Sequence, residues 1–190
     1  MLVISNALGH RDMGNAAASN PAFTAAECAA VRAWVEGGGA LLLIADHSPM
    51  GAAAAELGRT LGVDMRNSCA IDPVQMADNS PTIVAYVPER GLAADHPIMR
   101  GRDASETVRR VVTYTGQSLA GPPGSAILLR MSDRAQDWMV SLGEMSGDVP
   151  ADKRIPAGGR AQGLAFELGK GRVVVTAEAA MLTAQVAGPE

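Results

Sequence analysis

The sequence predicts an α/β domain with a mostly parallel central sheet, and three stretches carry that prediction. Ala40-Leu41-Leu42-Leu43-Ile44 is an unbroken apolar run between a triple glycine and Asp46-His47, without the alternation that a half-wetted strand shows. It reads as a central strand buried on both faces, delivering an acid and an imidazole to its carboxyl end. Upstream, Leu2-Val3-Ile4-Ser5 reads as a second buried strand. Thr24-Ala25-Ala26-Glu27 is a capping box opening a helix in which Cys28, Val31, Trp34 and Val35 share one face. Strand, helix and strand in that order imply parallel pairing through a crossover. The third stretch is Ala161 to Leu168, a Gly169-Lys170-Gly171 turn and Arg172 to Thr176, which together read as an antiparallel hairpin.

The remaining elements follow in order. Residues 6–23 form a polar, small-residue loop of the length that binding loops and lids have. Ser48 reads as a helix N-cap with Pro49 at the first helical position, and Met50, Ala54, Leu57 and Leu61 supply the inward stripe before Gly62 stops the helix. Val63 to Met65 fits a short edge strand. Residues 67–81 show no periodicity and read as irregular. Thr82 to Val87 is a strand by β-branched content, residues 107–115, 125–130 and 136–142 suggest more strands, and 145–159 reads as an exposed loop.

A length of 190 residues suits one domain spanning 1–190. The net charge of −4 and the lack of any Lys/Arg cluster argue against nucleic acid or acidic membranes as partners. No apolar run approaches the roughly 20 residues of a membrane span, and nothing at the amino terminus reads as a leader, so a cytoplasmic location is expected. Cys28 and Cys69 suggest neither a disulfide framework nor a structural zinc site. Scarce aromatics and abundant Ala and Met predict a core of small aliphatics with methionine filling gaps.

All three histidines lie near an aspartate, as His10 with Asp12, Asp46-His47, and Asp95-His96. If the strands ending near Ser5 and Ile44 are neighbours, His10 and His47 converge at the carboxyl ends of the strands, where open α/β sheets bind ligands. With Asp46 and Glu178 they form an N/O ligand set for a divalent ion, zinc first, which would bring a bound water's pKa toward neutrality. A metal-free route uses Ser48 as nucleophile, His10 rather than the adjacent His47 as base and Asp12 or Asp46 as orienter, although helix capping before Pro49 is the better explanation of Ser48. Gly51, in the same turn, offers a ligand close access to backbone N–H groups. Gly9 and Gly14 match no nucleotide-binding fingerprint. Gly116-Gln117-Ser118-Leu119-Ala120 approaches a nucleophile elbow, but Pro122-Pro123-Gly124 stands where such an elbow needs a helix.

Several of these features occur together in a known family. They are the apolar strand, the helix running from Thr24 and Glu27 through Trp34-Val35 to Gly37-Gly38-Gly39, Asp95-His96-Pro97-Ile98 with Gly101 behind it, and Gly169-Lys170-Gly171-Arg172-Val173-Val174. The combination resembles the class I glutamine amidotransferase-like superfamily over nearly the whole chain, in particular the trehalose-utilisation (ThuA-like) proteins and DUF4350-like bacterial domains. That resemblance implies a flavodoxin-like three-layer α/β/α sandwich closed by the hairpin, and a ligand contact at Asp95 and His96. It does not imply glutaminase activity, since no Cys occupies a Gly-x-Cys-x-Gly elbow. Relative to that family the chain starts on its strand and lacks a closing helix. A form shortened at both ends would leave sheet edges uncovered, so a homo-oligomer is expected. Two functions are compatible with these residues. One is a hydrolase of ester or phosphoester bonds in small molecules, centred on Asp46 and His47. The other is a non-catalytic ligand-binding or scaffold domain, carbohydrate-related, using the same crevice.

Overall fold

The computed structural model describes residues 1–182. Its first strands are β1 (Leu2–Ser5), β2 (Ala40–Ile44), β3 (Asp64–Met65), β4 (Cys69–Ile71), β5 (Met76–Ala77), β6 (Ser80–Tyr86) and β7 (Val111–Tyr114). The chain continues through β8 (Leu119–Ala120), β9 (Ala126–Arg130), β10 (Gln136–Trp138), β11 (Arg154–Pro156), β12 (Ala161–Leu168) and β13 (Gly171–Thr176). The helices are α1 (Ala25–Glu36), α2 (Met50–Leu61) and the single turn α3 (Pro97–Arg100). The main sheet runs β1-β2-β13-β12-β8-β3, with β9 also on β12, and two small sheets run β11-β10-β4 and β5-β6-β7.

This topology corrects the expected flavodoxin-like α/β/α sandwich with a mostly parallel sheet. Only β1 with β2 and β2 with β13 pair in parallel; β12 is antiparallel to β13, β9 and β8, and β8 to β3. The strand expected to be central, β2, lies second from the sheet edge. The second face of the sheet carries strands where helices were expected. The β-branched run Thr82 to Val84 and Val111-Val112-Thr113 lie in β6 and β7, which pair antiparallel with each other, so strands rather than crossover helices cover this face. Residues 67–81, expected to be irregular, contribute β4, β5 and the start of β6.

The order of strand, helix, strand and helix in the first sixty residues follows the sequence reading. Thr24 and Glu27 close the capping box reciprocally, and Cys28 and Val35 of α1 are buried against Leu41, Leu43, Val173 and Val175. Trp34, expected to face inward, is 43% exposed. Its ring instead lies over Gly39, where a Cβ would come within 2.5 Å of ring carbons, so only glycine admits the packing. Helix α2 begins at Met50 with Pro49 in the capping position and no side-chain cap bond, so Ser48 does not serve as N-cap. Gly62 closes α2 in the left-handed conformation with φ of 88°. Among the described residues no helix is long and apolar enough to cross a membrane.

On the other face, Val84 and Tyr86 of β6 pack with Leu128, Ala165 and Val174 of the main sheet. A buried amide joins these layers. Gln162 sits at an irregularity between Ala161 and Gly163 in the β12–β9 register and is fully buried. Its Oε1 accepts from Tyr86 Oη (2.8 Å) and Thr113 Oγ1 (2.6 Å), while its Nε2 donates to the carbonyls of Thr115 and Gln117. Gln117, equally buried, donates to the Ala45 and Asp46 carbonyls and accepts from Arg66 N. Asp137 holds the small β4–β10–β11 sheet, accepting from Arg66 Nη1, Ser68 Oγ and Ser118 Oγ. At the rim of that sheet the Arg154 guanidinium lies 5.3 Å from the centroid of the Trp138 ring.

Replacing Gln162 by Leu strands two hydroxyls and two carbonyls in the interior, so Gln162→Leu should lower unfolding stability by about 3–5 kcal/mol. Tyr86→Phe removes one bond while Thr113 still serves Gln162, and should cost about 1 kcal/mol. Urea unfolding of the two variants measures both, and equal losses would contradict this account of the amide.

Candidate functional site

Parallel β2 and β13 end side by side, with Ile44 in register with Thr176, so Asp46 and Glu178 emerge at the same edge. Both are buried, Glu178 completely. Their oxygens are engaged by the backbone. Asp46 Oδ1 accepts from His47 N at 2.7 Å and Oδ2 from Ala179 N at 3.3 Å. Glu178 accepts from the Ala180 and Met181 N–H groups through its two oxygens. Burial pushes the Glu178 carboxyl up to about 7, helped by the neighbouring Asp46 charge and opposed by those backbone donors.

The other expected catalytic groups take local roles. The His47 Nδ1 lies 2.7 Å from the Ser48 carbonyl and therefore donates to it, leaving Nε2 at 3.9 Å from Asp46 Oδ1. The ring thus bonds the Ser48 carbonyl rather than its hydroxyl. Ser48 is buried and its N–H is tied to Ser68 O. His10 lies in its own loop, where Nδ1 accepts from Asp12 N at 3.1 Å and Asp12 Oδ1 accepts from Gly14 N. The structure brings Asp46, His47 and Glu178 to one place. Among the described residues, however, no three His, Cys, Asp or Glu side chains form a group able to hold a metal ion. Of the expected set, Asp46, His47 and Glu178 lie at the ends of the paired strands, while His10 bonds within its own loop. Gly51 is buried in the first turn of α2, where a Cβ would come 2.3 Å from Arg66 O and 2.5 Å from Gln117 Nε2. Its lack of a side chain serves this packing. Ser118, set aside in the elbow-like stretch, is buried between Asp137 and Arg160, whose Nε donates to its Oγ at 2.6 Å.

His96 is placed differently. It caps α3 by accepting from Ile98 N, and it lines a crevice of about 800 Å³ together with Arg32, Phe166, Glu167 and Arg172. Asp95 beside it is exposed. Pro97, Ile98, Pro122 and Pro123 add apolar wall. Glu167 and Arg172 are cross-strand partners on β12 and β13, and Arg32 reaches in from α1 while bonding Glu36 and the Thr60 carbonyl. Because Arg172 opens β13 in register with Ala40, the crevice lies at the opposite end of the parallel strands from Asp46 and Glu178. The hairpin pattern around Gly169-Lys170-Gly171 contains the Glu167–Arg172 pairing, whereas Arg32 and Phe166 carry no local signal of a site.

No family model matches the chain, and no curated protein matches it. Solved structures do. The N-terminal domain of mmIFT52 is similar with a TM-score of 0.52 at 16% identity, over 86% of this chain and 64% of that one. Cytoplasmic protein STM1381 from Salmonella typhimurium LT2 is similar with a TM-score of 0.45 at 16% identity, over 93% of this chain and 59% of that one. The chain thus spans less than two thirds of either, and the likeness to the mmIFT52 domain is one of fold.

Glu178 generates a pH prediction. An unperturbed carboxyl titrates near 4.5 and the folded one near 7, so between these values the folded protein keeps a proton that the unfolded chain releases. Stability contributed by this group is complete below about 4.5 and is lost as pH rises through about 7, by a total on the order of 3 kcal/mol. Denaturation midpoints between pH 5 and pH 8 should fall along this slope in the wild type, and the slope should flatten in Glu178→Gln. An unchanged slope in the variant would assign the dependence to other groups.

Proposed function

We propose that this domain is a non-catalytic, cytoplasmic binding module for a small polyhydroxylated ligand, held in the crevice beside His96. The observation that carries this reading is the division of labour between the two ends of the parallel strands. At the carboxyl ends, Asp46 and Glu178 accept backbone N–H groups and Glu178 is fully buried, so neither is disposed toward a reactant. At the other end, Arg32, His96, Glu167 and Arg172 surround a cavity walled by Phe166 and prolines. Apolar walls with a few charged hydrogen-bonding groups suit a ring that has one C–H face and a rim of hydroxyls. The resemblance to the sugar-linked branch of the amidotransferase-like proteins through Asp95-His96-Pro97-Ile98 points the same way.

A saturation-transfer NMR screen of glucose, mannose, galactose and trehalose tests this, with Glu167→Ala and Arg172→Ala as exposed-site controls. Binding of at least one sugar is expected, weakened about tenfold or more in either variant, in line with the loss of about 1.4 kcal/mol from one charged hydrogen-bond partner. No signal from any of the four sugars, or signals in both variants equal to those of the wild type, would remove the reading. Turnover of ester or phosphoester substrates that disappears in Asp46→Asn would restore the hydrolase in its place.

A further inference from the structure

A second crevice, about 430 Å³, lies at the carboxyl end of β9, where three separate segments of the chain meet. Its walls are residues 74–75, the Arg90-Gly91 turn and residues 130–134. These walls are fixed to one another. The fully buried Asp72 accepts from Val74 N, Gln75 N and Gln75 Nε2 on one wall and from Ser132 N and Oγ on the other. Arg130 N donates to the Gly91 carbonyl at 2.8 Å and ties in the third. Burial alone would raise the Asp72 carboxyl, but the Ser132, Gln75 and Val74 hydrogen bonds hold it below the usual carboxylate range. The crevice is therefore preformed around a charged, fully hydrogen-bonded anchor.

Two independent features of the lining point to an occupant. The first is charge. Arg90 and Arg134 are exposed and their guanidiniums make no ion pair or hydrogen bond among the described residues, while Arg130 donates only to the Gly159 carbonyl at 3.2 Å. Arg32, Arg59, Arg66, Arg102, Arg154 and Arg160 each pair with a carboxylate, and the three unpaired guanidiniums here line one crevice. Three guanidiniums against the lining carboxylate of Asp133 and the buried carboxylate of Asp72 behind the walls leave a net positive charge at the mouth of the crevice. The second feature is an unused acceptor. Gln75 is 4% exposed, its Nε2 is committed to Asp72 and the Arg130 carbonyl, and its Oε1 is buried without a partner. That oxygen faces Gly91, another lining residue, where an added Cβ would come 2.8 Å from Oε1 and 2.3 Å from Arg130 O. A buried amide oxygen without a donor costs about 1–3 kcal/mol, which a ligand's O–H or N–H would recover.

We propose that this crevice binds a phosphate monoester carrying a hydroxyl. A phosphoryl group offers three terminal oxygens to the three guanidiniums, where a single carboxylate offers two. The hydroxyl supplies the donor that Gln75 Oε1 lacks, and Asp133 accepts from another ligand hydroxyl. The site shares no residue with the His96 crevice, so it stands or falls apart from the sugar-binding reading.

Calorimetric titration of the full chain with glycerol 3-phosphate, inorganic phosphate and citrate tests the proposal. Saturable binding of glycerol 3-phosphate is expected, at least fivefold tighter than inorganic phosphate and weakening as salt is raised. In Arg90→Ala/Arg134→Ala, both exposed positions away from the Asp72 anchor, the affinity should drop at least tenfold with an unchanged melting temperature. The proposal is overturned by absence of saturable binding, by equal affinity in the double variant, or by citrate binding as tightly as glycerol 3-phosphate. Equal affinity for inorganic phosphate and glycerol 3-phosphate would overturn the role given to Gln75.

Discussion

Gln162 occupies the point where β12 must serve two layers at once. Along β12 the chain pairs with β13 on one edge and with β8 and β9 on the other, and the register irregularity at Gln162 falls between those obligations. A backbone forced out of register leaves nearby carbonyls without ladder partners, and the buried amide supplies what the ladder does not. It donates to the Thr115 and Gln117 carbonyls and receives the hydroxyls of Tyr86 and Thr113 from the β6–β7 pair. Gln117 extends the chain of amides to the carboxyl end of β2. Both hydrophobic layers thus depend on polar groups at their seam, which fix how one sheet sits on the other more narrowly than apolar contact does.

The same economy explains the strand-end acids. In an open parallel sheet the chain leaves each carboxyl end through a turn rich in free N–H groups, and an acidic residue there is as readily a cap as a reactant. Asp46 and Glu178 cap the turns that follow β2 and β13, and each sits in the other's electrostatic field because those strands are neighbours. An elevated carboxyl pKa is accordingly a consequence of topology here, and it arises without any opening toward solvent.

Legibility in the sequence tracked the range of the interactions involved. The capping box at Thr24 and Glu27, the Cys28 and Val35 stripe, the β2 run and the terminal hairpin rest on contacts a few residues apart, and each was readable. The segment holding β4 and β5 was not, because strands of two or three residues are too short to show a period. They are fixed by side chains acting at long range, as Ser68 with Asp137 and Asp72 with Ser132, 69 and 60 residues apart. That segment decides the fold class, since it turns the second face of the sheet from helical to β. His10, expected beside Asp46 and His47, bonds within its own loop, while the nearness of Asp46 and Glu178 was legible from the strand ends. Arg32, Phe166 and the Gln75 crevice were not, since each is assembled from elements that the sequence does not show to be adjacent.

The two tryptophans divide between the layers just described. Trp34 lies on Gly39 at the junction of α1 and β2, and Trp138 lies on β10 beneath the Arg154 guanidinium in the small sheet. Two indoles in different surroundings, one against a glycine backbone and one beside a cation, give each layer its own optical signature. A chain so poor in aromatics therefore carries a built-in two-channel reporter, in which the order of loss of the two emissions during unfolding tells whether the small sheet departs with the main one or before it.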